Sequence, residues 1–168
     1  PGIDDIESRL AQVGFKPSDV DIVLFTHLHW DHTFYMKDFK NAKYYAQRKE
    51  YEFAMNPIPL YYKSYEYKDL GIEAPFIGVK FELIDGEAEI VPGVRVYPTP
   101  GHSPGHQAVE VDTKDGTYHC VGDAIFLLDN LKPVPQIHYD LTPTARFANI
   151  VEWWESVREI KRRCPDVK

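Results

Sequence analysis

The sequence predicts a layered α/β sandwich, and three observations carry that prediction. A short amphipathic helix is followed by a compact apolar run of strand length. Short strands separated by turn signals fill residues 79–122. A long amphipathic helix then closes the chain. One helix, one strand, a meander of strands and a closing helix are the ingredients of helices packed on the outer faces of sheets.

Taken in order, "DDIESRLAQVGF" places Ile6, Leu10 and Val13 at i, i+4 and i+7, with acidic residues at its start and Gly14 near its end, which predicts a short capped helix. "VDIVLFT" (20–26) is rich in Val, Ile and Phe and predicts a buried strand. "AKYYAQ" predicts a short strand and "RKEYEFAM" a helix stopped by "NPIP". The tyrosine-rich "LYYKSYEYKDLGIEAPF" (60–76) leaves two readings open: a helix and loop covering a pocket, or a packed surface layer. Beyond it "VKFELI", "AEIVPG", "VRVYPT", "QAVEVD" and "TYHCVG" read as successive strands of one meander, with "DG" at 85–86 and "KDG" at 114–116 as turns. In "TPTARFANIVEWWESVREIKRR" the residues Phe147, Ile150, Val151, Trp154 and Val157 recur at helical spacing. Thr142 and Pro143 are the expected start and "CP" the stop.

The chain has 168 residues, a net charge of −7 and 43% hydrophobic residues. That is globular composition in a length suited to one domain. The acidic balance argues against a nucleic-acid partner, and no stretch approaches the ~18–20 apolar residues of a membrane span. The first ten residues lack a basic region followed by an apolar core, so they do not read as a signal peptide. Cys120 and Cys164 are far apart in sequence and fit a reduced, cytoplasmic setting. The expected partner is a small molecule.

Three loops carry the chemistry. "THLHWDH" (26–32) puts His27, His29, Asp31 and His32 straight after a buried strand. His27 and His29, two apart in an extended stretch, can aim both rings one way. Neutral imidazoles with a carboxylate suit Zn, Fe or Mn rather than a thiolate-seeking metal. "TPGHSPGH" (99–106) follows another strand, and Pro100–Gly101 shape a turn that presents His102. "CVGDAIF" (120–126) brings Asp123 off a strand end after Gly122, which permits close backbone approach. His106 and His119 read as structural, with support behind the ligands as the alternative for His106.

Together these loops resemble the metallo-β-lactamase superfamily over nearly the whole chain. The resemblance implies an αβ/βα sandwich holding two divalent metal ions, zinc first, Fe or Mn otherwise. It assigns His27, His29 and His102 to one metal, Asp31 and His32 to the other, and Asp123 to both. "NAKYYAQRKEYEFAMNP", "FELIDGEAEIVPGVRV" and "TPGHSPGHQAVEV" are similar to the N-acyl homoserine lactonase branch. That implies cleavage of a small-molecule ester or lactone by a metal-bridging hydroxide. Asp31 would orient the nucleophile and pass its proton to the leaving alkoxide. The resemblance also allows a homodimer.

Two departures matter. The lactonases keep a tyrosine three residues after the bridging Asp, where this chain has Phe126, which donates no hydrogen bond. Either Tyr139 substitutes or the substrate is not an acyl homoserine lactone. The superfamily also has further strands before the first histidine motif and a last strand with a His ligand. The expectation is therefore that 1–168 is one domain cut at both ends. His138 is the in-chain alternative for that ligand, read rather as a pocket residue. Four rivals stand beside the lactonase reading: a glyoxalase II-like thioesterase, a mononuclear-iron persulfide dioxygenase-like enzyme using His27, His102 and Asp123, a non-catalytic ligand-binding relative, and, ranked last, an RNA-processing nuclease.

Overall fold

The computed structural model describes residues 5–165. The elements are α1 (Ile6–Ala11), β1 (Ile22–Leu24), α2 (Trp30–Thr33), β2 (Lys43–Gln47), α3 (Arg48–Met55), β3 (Phe81–Ile84), β4 (Ala88–Val91), β5 (Val94–Pro98), β6 (Gln107–Thr113), β7 (Gly116–Cys120) and α4 (Ile150–Arg163). They form two sheets: a parallel β1-β2-β3 and an antiparallel meander β4-β5-β6-β7.

The alternation of side chains along each strand builds the layers. Val23, Phe25, Tyr44, Ala46 and Phe81 face outward into a core shared with Ala54 and Phe53 of α3. Leu24, Tyr45 and Ile84 of the first sheet meet Val96, Val109 and Val111 of the second. On the far face of the second sheet, Tyr97 and Ala108 pack with Ile160 of α4. The order is helix, sheet, sheet, helix, which is the sandwich that the sequence predicts.

Three expectations need correction. β3 does not belong to the meander: it pairs in parallel with β2, Tyr44 opposite Phe81. The reason is topological, because β2, α3 and β3 form one β-α-β crossover, which returns the chain in the same direction. Only after the Asp85–Gly86 turn does the chain enter the second sheet. The closing helix starts at Ile150, not at Thr142–Pro143. Asn149 caps it through its side-chain oxygen, which accepts from the Val151 and Glu152 amides. Residues before it are held elsewhere, with the Thr142 amide on the Asn130 carbonyl and the Ala148 and Asn149 amides on the Gly101 carbonyl. The buried face of α4 is accordingly Trp153, Ser156, Val157 and Ile160, while Val151 is 70% exposed. Finally, α1 forms with Asp5 as its cap, but none of its residues is buried and Val13 is exposed.

Glutamines stitch the two sheets at the level of the histidine loops. Gln47 donates to the Gly86 carbonyl and to Gln107, and Gln107 donates to the Phe25 carbonyl. The Gln107 amide completes the seam on the Thr26 carbonyl. These bonds fix the ends of β1 and β6, from which the loops at 26–33 and 99–106 spring.

Candidate metal centre

His27, Leu28 and His29 follow β1 after a bend at Thr26, and His29, in extended backbone, is the cap of the single-turn helix α2 that carries Asp31 and His32. Leu28, between the two histidines in sequence, is fully buried in the core with Phe25, Met36 and Ala46, which anchors the stretch. His102 leaves the end of β5 through Gly101, whose φ of +128° belongs to glycine. A Cβ there would overlap the Trp153 backbone, and one on Gly105 would overlap Glu50. Asp123 follows β7 through Gly122, at φ +49°, where a Cβ would lie 2.7 Å from Thr26 Oγ1 and 2.8 Å from His106 Nε2. Close approach is therefore the reason for all three glycines.

Two groups of ligand-bearing side chains result, His27 with His29 and His102, and His27 with His32 and Asp123, their ligand atoms within 4.8 Å of one another. The Asp123 carboxylate lies 3.4 Å from His32 Nε2, 3.4 Å from His102 Nε2 and 3.9 Å from His27 Nε2. Asp31 stands at the margin, 3.8 Å from His32. The sequence-derived candidates thus converge, with Asp31 beside the groups rather than within them.

Electrostatics favour a cation here. Burial, reinforced by the neighbouring imidazoles, holds His27 well below the ordinary histidine pKa and His29 down to about 3. Burial also lowers His102, against the pull of Asp123. Burial disfavours charge on His32 too, but hydrogen bonding and attraction to Asp123 outweigh it and raise its pKa. The buried Nε2 atoms of His27 and His29 have no hydrogen-bond partner, and His102 Nε2 faces His29 Nδ1 at 3.1 Å. Neutral imidazoles aimed at one another, with orphaned nitrogens, leave buried polar atoms unsatisfied. A divalent ion satisfies such a donor set, because neutral imidazole and carboxylate are its ligands. The residues present fit a metal.

The sequence reading missed one organising residue. Glu50 of α3 is fully buried and accepts four hydrogen bonds. Its Oε1 takes the Leu28 amide at 3.0 Å and the Tyr65 hydroxyl at 2.9 Å. Its Oε2 takes the Ser103 hydroxyl at 2.6 Å and the Gly105 amide at 3.0 Å. One carboxylate therefore ties both histidine loops to the tyrosine-rich segment. Burial raises its pKa while all four donors oppose that rise. The available signal was modest: Glu50 shares its helical face with buried Ala54, an unusual place for a charge.

The tyrosine-rich segment does both things expected of it. Tyr65, Ala74 and Phe76 enter the core, while Leu60, Tyr61 and Ser64 wall an open cleft of about 400 Å³ above the histidines. Arg146 and Phe147 line it as well. His106 is buried with Nδ1 on Thr99 Oγ1 at 2.8 Å, its pKa held at about 3 chiefly by burial, and its ring lies tilted against His27 at 5.1 Å. His119 sits on the outer face of the meander beside Tyr97 and Glu110. Tyr139 packs on Trp154 and lines a separate apolar pocket. It is not among the residues that line the cleft. Phe126 itself lies edge-on to His102 at 5.5 Å. His138 is exposed in a left-handed turn.

Helix-sheet-sheet-helix layers with a histidine–carboxylate centre at one edge of the sandwich define a metal-site α/β fold. The metallo-β-lactamase superfamily pattern matches residues 1–167, and the chain belongs to that superfamily. It is 35% identical over 140 residues to an N-acyl homoserine lactonase of Bacillus cereus, covering 82% of this chain and 52% of that protein. Among solved structures it is similar to an N-acyl homoserine lactone hydrolase with the product N-hexanoyl-L-homoserine bound at its catalytic metal centre. That match has a TM-score of 0.73 and 27% identity, over 95% of this chain and 57% of the other. It is similar also to a probable metal-dependent hydrolase from Staphylococcus aureus, with a TM-score of 0.76 and 26% identity, over 95% and 55%. The chain spans about half the length of the curated relatives it matches.

Proposed function

We propose that residues 1–168 belong to a single metallo-β-lactamase domain of a metal-dependent hydrolase that cleaves small-molecule esters or lactones. The observation that carries this reading is the pair of ligand groups sharing His27. In this reading His27, His29 and His102 hold one divalent ion, Asp31 and His32 the second, and Asp123 reaches both, with zinc the favoured metal. When bound, the metals make a water acidic enough to act as nucleophile near neutral pH and polarise the scissile carbonyl.

The chain's own residues do the rest. Glu50 holds the two histidine loops in register through four hydrogen bonds, so the ligands are preorganised rather than gathered at the moment of binding. Asp31, whose side chain is 53% exposed beside His32, is placed to take a proton from the attacking water and deliver it to the leaving oxygen. The balance is simple: water oxygen bonds to the acyl carbon, the acyl C–O bond breaks, and the alkoxide gains the proton. Trp30, Leu60 and Phe147 supply an apolar lining for the carbon skeleton of a substrate. An acyl homoserine lactone is a substrate to test first because relatives carry that name, but Phe126 offers the carbonyl no hydrogen bond.

A reduced, cytoplasmic location accords with the free Cys120 and Cys164, and no helix among the described residues is long and apolar enough to cross a membrane.

The test is metal content with stoichiometry on the full-length protein, followed by side-by-side assays on lactones, oxygen esters and glutathione thioesters. Two zinc-like ions per chain and faster turnover of lactone or ester are expected. Faster thioester cleavage would move the activity to the glyoxalase II-like class. One iron without zinc would replace hydrolysis by the dioxygenase reading. Two metals without turnover of any substrate would leave a ligand-binding relative.

A further inference from the structure

Arg146 stands apart from the other arginines whose partners are known. Arg48, Arg95, Arg158, Arg162 and Arg163 each rest on one or more carboxylates. Such pairing is what an acidic chain makes easy. The Arg146 side chain makes no hydrogen bond or ion pair among the described residues, although it lines the same cleft as Asp31 and Asp123. Its backbone is not free to drift. The Arg146 carbonyl lies 3.3 Å from His102 Nδ1, and the Ala148 and Asn149 amides two and three residues on are hydrogen-bonded to the Gly101 carbonyl. The Arg146 backbone is therefore tethered at the rim of the metal centre by the same loop that presents His102.

We propose that Arg146 anchors a carboxylate on the substrate, so that the cleft takes an ester or lactone bearing a second, anionic end. This deepens the hydrolase reading above and rests on it. A guanidinium without a protein partner is a planar fork of donors that matches a carboxylate bidentately. Trp30, Leu60 and Phe147 around it leave apolar wall for the carbon chain between the anionic end and the scissile carbonyl. A monoanion also suits the site better than a dianion such as a phosphate, because Asp31 and Asp123 repel the added charge.

The experiment compares two p-nitrophenyl esters of equal chain length, hexanoate and hydrogen adipate, on the zinc-loaded full-length protein. Wild type is expected to favour the adipate ester roughly tenfold in kcat/KM, mainly through KM, as one charge-assisted contact provides. Arg146→Ala should bring that ratio to about one, and Arg146→Lys should restore part of it. Adipamate and neutral hexanamide, measured by calorimetry on loaded and metal-free protein, should show the same gap in wild type and none in Arg146→Ala. Unchanged zinc content and thermal midpoint establish that the variant folds, as its exposed position leads one to expect. A ratio that survives Arg146→Ala, or no preference for the anionic member of the pair in either measurement on wild type, overturns the anchor. Should neither ester be cleaved, the hydrolase reading fails on its own, and the adipamate–hexanamide binding gap alone decides the anchor.

Discussion

The two halves of the candidate metal centre are built in opposite ways. His27, His29 and His102 are buried, wedged by Leu28, by Glu50 and by glycines that tolerate no Cβ. Asp31, His32 and Asp123 keep side-chain exposures of 53%, 29% and 22%. The buried half is made of neutral imidazoles, and the open half contains both carboxylates and the one histidine of the centre whose pKa is raised. The contrast teaches a division of labour. Burial that outweighs the pull of Asp123 keeps one half neutral and fit for a cation, while exposure with carboxylates makes a place where water and protons can enter and leave.

The comparison breaks most visibly at Asp31. Asp31→Asn should lower kcat about 10²–10⁴-fold with little change in KM, the range for a positioned proton carrier. Steady-state kinetics would show a modest, KM-only effect if the open half merely binds. On the buried half, Glu50→Ala strands two amides and two hydroxyls, and a loss of about 3–5 kcal/mol is expected. Urea denaturation of the metal-free protein reads it, and a change below 1 kcal/mol would remove Glu50 from its organising role. Gly101→Ala should cost about 2–3 kcal/mol, because the added methyl meets the α4 backbone at a left-handed φ. The same denaturation curves decide this, with Gly86→Ala as the control for backbone strain alone, since no atom lies within 4 Å of its Cβ direction.

A subtler contrast concerns the metals. Chelator competition should show His27→Ala losing tight binding altogether, whereas His32→Ala should retain one ion. Equal losses from both variants would mean that the halves are not separable. The smallest effect is expected at Asn149→Ala, about 1 kcal/mol for a lost helix cap, with metal content unaffected; a drop in bound metal would tie the cap to the centre through the Gly101 carbonyl.

Much of the fold was legible because local chemistry and tertiary placement agree. "RKEYEFAM" is a helix with the bounds read from the sequence, and every strand of the meander overlaps a stretch read as a strand, with β6 running on to Thr113 and β7 starting at Gly116. Legibility failed where a long-range bond outranked local pattern. Phe147 keeps helical spacing with the residues of α4, yet Ala148 and Asn149 are claimed by the Gly101 carbonyl, so the helix waits for Asn149. β3 reads as one more meander strand, yet the crossover through α3 sends it into the other sheet. For the site, His27, His29, His32, His102 and Asp123 were singled out because three loops after strand ends, taken together, resemble one superfamily, and the fold brings these side chains together. Glu50 was not, because nothing in "RKEYEF" says which of two glutamates turns inward.

What the sequence by itself determined is the chemistry on offer: three loops after strand ends, rich in metal-capable side chains, in an acidic chain with a sandwich's hydrophobic rhythm. Spacing and residue type are local properties, and they survive without knowledge of the fold. Only the tertiary structure decided that these loops meet, that one buried carboxylate clamps two of them, and that Arg146 has no side-chain partner among the described residues. Each of those facts joins residues up to about a hundred positions apart, and their pairing is set by sheet register and by the packing of α3 and α4.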